Sequence, residues 1–308
     1  MNLLITGATG YIGKNLIKEL AKDNIIYCLA RQKLEFKSNP NNIKWIISDL
    51  SKKDFCNDIP KVNVDVVIHL AQSKGYKEFP EKSIDMFNIN IASTHFLLEW
   101  CRKNDVKKFI FTSTGNIYKS SPNFIKEDDE CVPSSFYGIS KKIAEDLINS
   151  YSSFFQVLIL RLFSIYGPNQ KEMIIPSMIQ KIKNNEEITL AGSYGIFLSP
   201  LYIDDCIEMI KKALDSKKIT GTYNLSGNQE ISLAEIVNQI CILYKIKPKI
   251  KITNNQPIHL KGSNTLFKQT FNYNPRFCFT NGLNEIYKSE EILYKVKKSM
   301  TNKNNSCS

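Results

Sequence analysis

The heptapeptide Gly7-Ala8-Thr9-Gly10-Tyr11-Ile12-Gly13 lies between the apolar run Asn2–Thr6 and the amphipathic pattern Lys14–Lys22. Glycines at such a junction allow a tight turn, bring the backbone close to a pyrophosphate and let the helix pack closely on the strand. The spacing is G-x-x-G-x-x-G and not the G-x-G-x-x-G of the ordinary dinucleotide fingerprint. Because a strand precedes the motif and a helix follows it, the heptapeptide predicts a loop that binds dinucleotide phosphates, in preference to a plain turn.

Around this loop, short apolar runs alternate with amphipathic stretches through the first half of the chain. The apolar runs are typical of strands in a parallel sheet that helices cover on both faces. They cover Asn2–Thr6, Ile25–Ala30, Lys44–Ile47, Val64–Leu70, Lys108–Ser113 and Gln156–Arg161. The helical patterns cover Lys14–Lys22, Met86–Lys103 and Ser140–Phe154. The alternation predicts an α/β fold with a doubly wound parallel sheet, in which the carboxyl ends of all strands share one edge.

The pattern changes after Gly167-Pro168. Helical patterns at 174–184, 204–215 and 232–245 precede an irregular segment at 246–285, and Gly221–Leu225 resembles a further strand of the sheet. We therefore expect three parts. They are a dinucleotide-binding domain over residues 1–168, to which some later elements return, a smaller mixed α/β substrate-binding cap over 169–287, and a frayed polar tail over 288–308.

The composition argues against several classes of protein. The 308 residues include 41 Lys and Arg against 30 Asp and Glu, a net charge of +11. The basic residues are scattered and form no stripe interleaved with aromatic residues, so we expect no nucleic-acid partner. A positive field favours encounter with an anionic, phosphate-bearing ligand. No run approaches ~18 apolar residues, and the first residues lack a basic, cleavable signal, so we expect a soluble protein that neither spans a membrane nor is secreted.

Cysteine and histidine usage indicates a cytoplasmic protein without a metal site. No two of the 8 cysteines are spaced as a zinc-binding or thioredoxin-type pair, which is typical of reduced thiols in the cytoplasm. The three histidines, His69, His95 and His259, are too scattered along the sequence to suggest metal ligands.

The end of the second apolar run bears on which dinucleotide is bound. An acidic residue there would accept hydrogen bonds from the adenosine ribose and repel a 2′-phosphate. The sequence has Arg31 at this point, Lys33 two residues later, and no carboxylate before Glu35. A guanidinium pairs with a phosphate in a bidentate manner and stacks over adenine. The sequence therefore predicts a preference for NADP(H), with NAD(H) as the alternative.

A phenol and an ammonium group stand four residues apart at Tyr137 and Lys141, and a helix over residues 135–150 would put both on one face. Nearby positive charge favours the phenolate and lowers the pKa of a tyrosine from ~10. Upstream, an apolar run ends in the hydroxyl-rich stretch Thr112-Ser113-Thr114, at the sheet edge where open α/β folds bind ligands. Thr114 is placed to hydrogen-bond both a substrate oxygen and the phenol. Tyr294 and Lys298 share the same spacing without this context, and we expect them to be inert.

Taken together, these motifs resemble the extended short-chain dehydrogenase/reductases, and within them the NAD(P)-dependent nucleotide-sugar epimerases, dehydratases and ketoreductases. The likeness covers about residues 1–287. It rests on Gly7–Gly13, Asp49-Leu50, His69-Leu70-Ala71, Thr112–Tyr118, Tyr137 with Lys141, Arg161–Pro168, Leu201-Tyr202-Ile203-Asp204-Asp205 and Tyr273-Asn274-Pro275. The resemblance implies a Rossmann-type fold.

The resemblance also implies roles for individual residues. Tyr137 would be the acid/base, Lys141 would bind the nicotinamide ribose and tune Tyr137, and Thr114 would lie beside the substrate. Asn90 matches a helix residue of the family. The residues expected to contact the cofactor are Gly7, Thr9, Gly10, Tyr11, Ile12, Gly13, Arg31, Asp49, Leu50, Leu70, Ala71, Gln72, Thr112, Tyr137 and Lys141. Those expected to contact the substrate are Thr114, Gly115, Asn116, Tyr137 and Ser164.

The sequence departs from the family pattern at three points. Dehydratases of this group carry an Asp-Glu pair directly after the catalytic Thr, where this chain has Gly115-Asn116. Ser164 stands where the family has an Asn that contacts the sugar nucleotide. Leu198-Ser199-Pro200 stands where many members have an Arg, so other cations are expected to meet the substrate diphosphate.

From the resemblance and from Arg31 we predict an NADPH-dependent reductase of a nucleotide-linked keto-sugar, such as a 4-keto-6-deoxyhexose, with Tyr137 as proton donor. The alternative is an NAD-dependent nucleotide-sugar 4-epimerase, and a remote one is a non-catalytic NADP-binding protein. We also expect a homodimer that packs the helices at about 86–103 and 138–154. Their apolar residues exceed what one sheet face covers; they are Phe87, Ile91, Phe96, Leu97, Ile143, Leu147 and Tyr151.

Overall fold

A computed structural model describes residues 1–34 and 41–305, with side chains up to residue 294. The strands it contains are β1 Asn2–Thr6, β2 Ile25–Ala30, β3 Ile43–Ile47, β4 Val66–His69, β5 Lys108–Thr114, β6 Gln156–Leu162, β7 Ile165–Tyr166, β8 Glu187–Ala191, β9 Ile196–Leu198, β10 Leu201–Tyr202, β11 Gly221–Leu225, β12 Ile231–Ser232, β13 Lys249–Thr253 and β14 Ile258–Leu260. The helices are α1 Tyr11–Leu20, α2 Ser83–Met86, α3 Ser93–Lys103, α4 Phe136–Ser150, α5 Ile174–Lys183, α6 Ile203–Asp215, α7 Leu233–Tyr244, α8 Thr265–Phe271 and α9 Phe279–Asn305.

The central sheet has seven strands in the order β11-β6-β5-β4-β1-β2-β3. Every neighbouring pair is parallel. Chain order therefore reverses between β1 and β4, and ligands of open α/β sheets bind outside the strand ends at such a reversal. The fold is a Rossmann-type α/β fold, as the alternating pattern predicts, and Gly221–Leu225 joins the sheet as its edge strand.

Two apolar cores lie on opposite faces of this sheet. The odd-numbered positions of β1, Leu3 and Ile5, face one core, which also contains side chains of α1, α5, α6 and α7. Leu4 faces the other core, which contains side chains of α3 and α4. Alternate residues of one strand thus enter different cores, which explains why the strands read as continuous apolar runs.

The helix that carries Tyr137 begins earlier than the predicted range Ser140–Phe154. The Ser135 hydroxyl accepts a hydrogen bond from the backbone N–H of Gly138 at 3.1 Å, and this N-cap starts α4 at Phe136. The predicted helix Met86–Lys103 is not one regular helix. A π-helical segment, Phe87–Ala92, joins α2 to α3.

The second half of the chain is more regular than its sequence suggests. Segment 246–285 contains β13, β14 and α8, and β13 pairs with β8 while β14 pairs with β9. In the segment predicted to be a polar tail, α9 continues through Asn305, and residues 306–308 lie outside the described range. None of the helices described here combines the length and apolar character needed to cross a bilayer.

Candidate active site

The glycine-rich loop forms a cradle between β1 and α1. Gly7 has a φ of +69°, and a Cβ there would approach the backbone N of Ala71 to 2.7 Å. A Cβ on Gly13 would collide with the carbonyl oxygen of Gly7. Gly10 precedes α1, whose first turn contains no acidic residue. Backbone N–H groups at a helix N-terminus, unobstructed by side chains, suit a pyrophosphate, so the residues present fit a dinucleotide.

The end of β2 places two opposite charges near each other. A hydrogen bond from the backbone N–H of Ser51 to the Asp49 carboxylate, 3.0 Å long, is the largest cause that holds the pKa of Asp49 below its usual value. Arg31, exposed just after the strand, makes a smaller contribution in the same direction through its guanidinium. Leu50 is half-buried beside Asp49. Glu35, the nearest carboxylate after Arg31 in sequence, lies outside the described residues.

The ends of β4 and β5 bring the middle of the predicted cofactor site together. Leu70 and Ala71 follow β4 directly, and the Ala71 N–H donates to Thr6 Oγ1 at 3.3 Å. On the neighbouring strand, Thr112 Oγ1 donates to the carbonyl of His69 at 3.4 Å. These contacts hold the two strand ends beside the glycine loop.

The phenol of Tyr137 meets two polar side chains from other elements. Its hydroxyl donates to Oε1 of Gln72 at 2.8 Å, and it also hydrogen-bonds Thr114. The ring of Tyr76 packs against the Tyr137 ring with centroids 5.5 Å apart. Along the chain, Tyr137 lies 23 residues after Thr114 and 65 residues after Gln72. The edge of the sheet brings both side chains into contact with Tyr137.

The expected lowering of the Tyr137 pKa does not occur in the protein by itself. Burial raises the pKa of Tyr137 to about 12, and the hydrogen bond with Thr114 opposes that rise only in part. Lys141 is almost fully buried, with its Nζ 3.9 Å from the centroid of the Phe111 ring. Burial lowers the pKa of Lys141 to about 7, against a smaller opposing effect of Glu145. Desolvation therefore raises the pKa of Tyr137 and lowers that of Lys141, and in each case it outweighs the interaction that opposes it.

The residues predicted to contact the substrate are closely packed around one aromatic ring. Phe163 is buried, and a Cβ on Gly115 would approach its ring to 2.6 Å. Asn116 is exposed next to Gly115, and its N–H donates to Thr114 Oγ1 at 3.2 Å. Ser164 is half-buried with a φ of +46°, a left-handed conformation that Asn adopts more readily than Ser.

The sequence did not predict two buried groups of interacting polar side chains near the site. Asn90 accepts from the Ser73 N–H at 2.8 Å and donates to Ser140 Oγ at 2.9 Å, which joins the π-helical segment to α4. Arg161 of β6 pairs with Glu145 of α4 at 2.8 Å. The sequence did show that Arg161 is a charged residue inside an apolar strand pattern, which indicates a buried ion pair. It did not show the partner, because Glu145 lies on another element. No group of three or more His, Cys, Asp or Glu in residues 1–34 and 41–294 is arranged to hold a metal ion.

The sequence was compared with protein families and with known proteins. The model of the NAD dependent epimerase/dehydratase family matches residues 3–226. A dTDP-D-glucose 4,6-dehydratase of Dictyostelium discoideum is 32% identical over 266 residues, which cover 77% of this chain and 61% of that protein. The chain thus matches less than two thirds of that relative's length. An uncharacterized UDP-glucose epimerase of Bacillus subtilis (strain 168) is 28% identical, with 93% of this chain and 97% of the relative covered.

Solved structures show the same fold. A UDP-glucuronic acid 4-epimerase from Bacillus cereus, in complex with UDP-glucuronic acid and NAD, superposes with a TM-score of 0.83 at 25% identity, over 96% of this chain and all of the other. A UDP-glucose 4-epimerase from Thermus thermophilus in complex with NAD has a TM-score of 0.81 at 22% identity, over 94% of this chain and 98% of the other.

The two Bacillus proteins favour the epimerase alternative over the predicted ketoreductase, and the Bacillus cereus complex contains NAD, whereas the sequence favours NADP. Fold, glycine loop and family match agree on a nicotinamide-dependent enzyme family that acts on nucleotide sugars. The chain belongs to the NAD-dependent epimerase/dehydratase family.

Proposed function

We propose that this protein is a nucleotide-sugar 4-epimerase that works around a retained nicotinamide dinucleotide. The observation that carries this proposal is the meeting of Tyr137, Thr114 and Gln72 at the carboxyl edge of the sheet, next to the glycine loop. The buried Lys141 lies one helical turn from Tyr137. Similarity to two proteins named as UDP-sugar epimerases over nearly the whole chain supports the same reaction.

In this proposal, each side chain has a distinct task. The glycine loop and Lys141 would hold the dinucleotide, whose nicotinamide would supply reversible hydride transfer at C4 of the sugar. Tyr137 takes the proton from the 4-hydroxyl and gives it back to the carbonyl oxygen after the keto-sugar has turned. Thr114 orients that oxygen. Lys141 binds the nicotinamide ribose, and its positive charge favours the phenolate that the first step needs.

Dehydration is disfavoured, although a relative is a dehydratase. Elimination of water needs an acid and a base directly after Thr114, where this chain has Gly115 and Asn116. Because Gly115 already faces the Phe163 ring, a carboxylate side chain at that position would displace the ring. The site therefore suits reversible oxidation at one carbon better than elimination.

One observation favours a second candidate, the ketoreductase. Arg31 is exposed at the end of β2, where a guanidinium suits the 2′-phosphate of NADPH. A net reductase consumes NADPH in stoichiometric amount, whereas an epimerase returns its cofactor unchanged in every turnover.

One experiment distinguishes the two. The purified protein is incubated with UDP-glucose, UDP-glucuronic acid and dTDP-glucose in separate reactions, and sugar protons are followed by NMR. We expect interconversion of the C4 epimers with no net change in nicotinamide absorbance, and loss of the interconversion in Tyr137→Phe. Consumption of NADPH with a nucleotide-linked 4-keto-6-deoxyhexose, together with no interconversion, would establish the ketoreductase instead.

A further inference from the structure

His69 is a buried histidine for which the proposed reaction has no task. It is the last residue of β4, has no exposed surface and lies in the middle of the sheet. Its register partners are Thr6 at the end of β1 and Phe111 in β5. The imidazole ring stacks on Phe111 with centroids 5.6 Å apart, and Phe111 in turn lies under the Lys141 ammonium.

The hydrogen bonds around His69 determine its tautomer. Thr94 Oγ1 donates its proton to the carbonyl of Asn90 at 2.9 Å, so it can only accept from His69 Nε2, 3.1 Å away. His69 Nδ1 is then an acceptor, and Thr6 Oγ1, 2.6 Å away, donates to it while accepting from the Ala71 N–H. With the proton on Nε2, every hydroxyl and ring proton in this group has a partner. The other tautomer leaves the Thr6 hydroxyl proton without one.

The neutral ring is required by its surroundings. Burial, and secondarily the Lys141 ammonium, lower the pKa of His69 to about 3. Protonation would also convert Nδ1 into a donor that faces the donating hydroxyl of Thr6. The ring therefore keeps one donor and one acceptor, aimed in opposite directions, through the physiological pH range.

The chain of contacts continues from Thr94 to the catalytic helix. Asn90, whose carbonyl accepts from Thr94, donates through its side chain to Ser140 Oγ at 2.9 Å. Ser140 Oγ donates to the carbonyl of Tyr137 at 2.8 Å. In the other direction, Thr6 and Ala71 border the glycine loop, where a Cβ on Gly7 would touch Ala71. All the hydrogen-bonded side chains in this series are buried.

We infer that His69 is a positioning residue that couples the glycine loop to the helix carrying Tyr137 and Lys141. Its Nδ1 edge holds the Thr6–Ala71 side, where the dinucleotide phosphates are expected, and its Nε2 edge holds the Thr94–Asn90 side, which supports α4. A substitution that keeps only the Nδ1 edge should therefore impair the support of α4 alone. A substitution that keeps only the Nε2 edge should impair dinucleotide binding alone.

The test uses two amide substitutions. The amide of His69→Asn overlaps the Nδ1 edge of the imidazole, and that of His69→Gln reaches the Nε2 position. For His69→Asn we expect the dinucleotide Kd to stay within about twofold and kcat to fall about fivefold, the size expected for one buried hydrogen bond. For His69→Gln we expect kcat within about twofold and a dinucleotide Kd about fivefold higher. His95→Gln, an exposed histidine on α3, is the matched control.

A role confined to stability would lower kcat and cofactor affinity together in both variants, or change neither, and that result would overturn the inference. The measurement of kcat depends on the proposed epimerase reaction, whereas two other measurements do not depend on it. These are the Kd values and ¹⁵N NMR of the histidines in the parent protein. We expect His69 to show the Nε2–H form and no titration above pH 5. An Nδ1–H form, or titration near pH 6.5, would also contradict the inference, even if the substrate proved to be different.

Discussion

At the scale of single residues, Tyr137 is the group on which the proposed chemistry depends. Tyr137→Phe keeps the ring and its packing on Tyr76 but removes the hydroxyl that exchanges the proton. We expect a loss of about 10²–10⁴ in kcat, as for other positioned acid/base groups, with cofactor binding retained. Lys141→Met should cost nearly as much, and Thr114→Val less, because Thr114 only orients the substrate.

Steady-state kinetics of the three variants checks this order. Tyr294→Phe serves as a control, because Tyr294 is 68% exposed on α9. Parental turnover by a folded, cofactor-bound Tyr137→Phe protein would show the mechanism to be wrong.

Lys141 should make the cofactor-free protein less stable at neutral pH. Its folded-state pKa of about 7 lies below the ordinary value of 10.5, so the unfolded chain binds more protons between these two values. Stability of the parent protein therefore rises with pH across that window, and the cost of burying the ammonium is fully present below about pH 7. We expect Lys141→Met to unfold at higher urea concentration than the parent at pH 7, with the advantage shrinking by pH 10. An advantage that stays constant with pH would contradict this cause.

Arg31 should set the preference between the two dinucleotides. Arg31 is exposed just after β2, where we expect its guanidinium to attract a 2′-phosphate, and Arg31→Asp would replace this attraction with repulsion. We expect NADPH binding to weaken by about 2 kcal/mol or more, measured by calorimetric titration of both cofactors. Lys33→Asp makes the same charge change at another exposed position and should have a smaller effect. Equal affinity of the parent protein for NADH and NADPH would rule the prediction out.

At the scale of elements, α4 is held to the sheet by a buried ion pair. The side chains of Arg161 and Glu145 are 7% and 2% exposed, and the guanidinium of Arg161 also donates to the carbonyl of Glu127 at 3.0 Å and to the hydroxyl of Tyr118. The pair connects β6 and the loop after β5 to the helix that carries Tyr137 and Lys141. Breaking it should therefore affect both stability and the position of α4.

Glu145→Gln tests this connection. Loss of one partner leaves an unpaired buried guanidinium, and we expect the free energy of unfolding to fall by about 3–5 kcal/mol. Glu285→Gln removes one partner of the exposed pair Glu285–Lys288 and should change stability little. Urea unfolding of both variants is the measurement. Similar, small effects of the two substitutions would show that the buried pair does not anchor α4.

At the scale of the whole molecule, the outer surface of α4 and of the π-helical segment suits a second copy of the chain. Of the apolar residues predicted to lie in a dimer interface, Leu97 is fully buried within the chain, whereas Phe87 and Ile143 are 51% and 39% exposed. Ile84 on the adjoining helix α2 and Ile139 on α4 are 75% and 42% exposed. Exposed apolar side chains on adjoining helices are typical of an isologous interface.

We expect a homodimer in light scattering, with twice the 35.3 kDa mass of one chain. The double variant Phe87→Asp/Ile143→Asp should be monomeric and folded, because burying the two carboxylates against a partner is unfavourable. Ile242→Asp changes an exposed residue of α7 and should leave the dimer intact. A single-chain mass for the parent protein across micromolar concentrations would exclude the interface.

Much of the fold can be predicted from the sequence because its signals are local. Apolar runs and helical periodicity locate the strands of the sheet and helices α5, α6 and α7 to within one or two residues. The ends of α4 were displaced because the Ser135 cap, and not the apolar pattern, starts that helix. Strands β13 and β14 were missed because their side chains are largely exposed and their stability comes from pairing with β8 and β9.

In the candidate site, too, some features follow from local sequence signals and others depend on the tertiary structure. The glycine loop, Tyr137 with Lys141, and the hydroxyl residues that end β5 are recognisable because their spacing within one turn, helix or strand already restricts their geometry. The amide of Gln72 on Tyr137, the Glu145–Arg161 pair and the hydrogen bonds of His69 join residues from different elements. Strand order and register decide which of these side chains meet. Burial then lowers the pKa values of Lys141 and His69, because desolvation depends on the packed interior and not on neighbours in sequence.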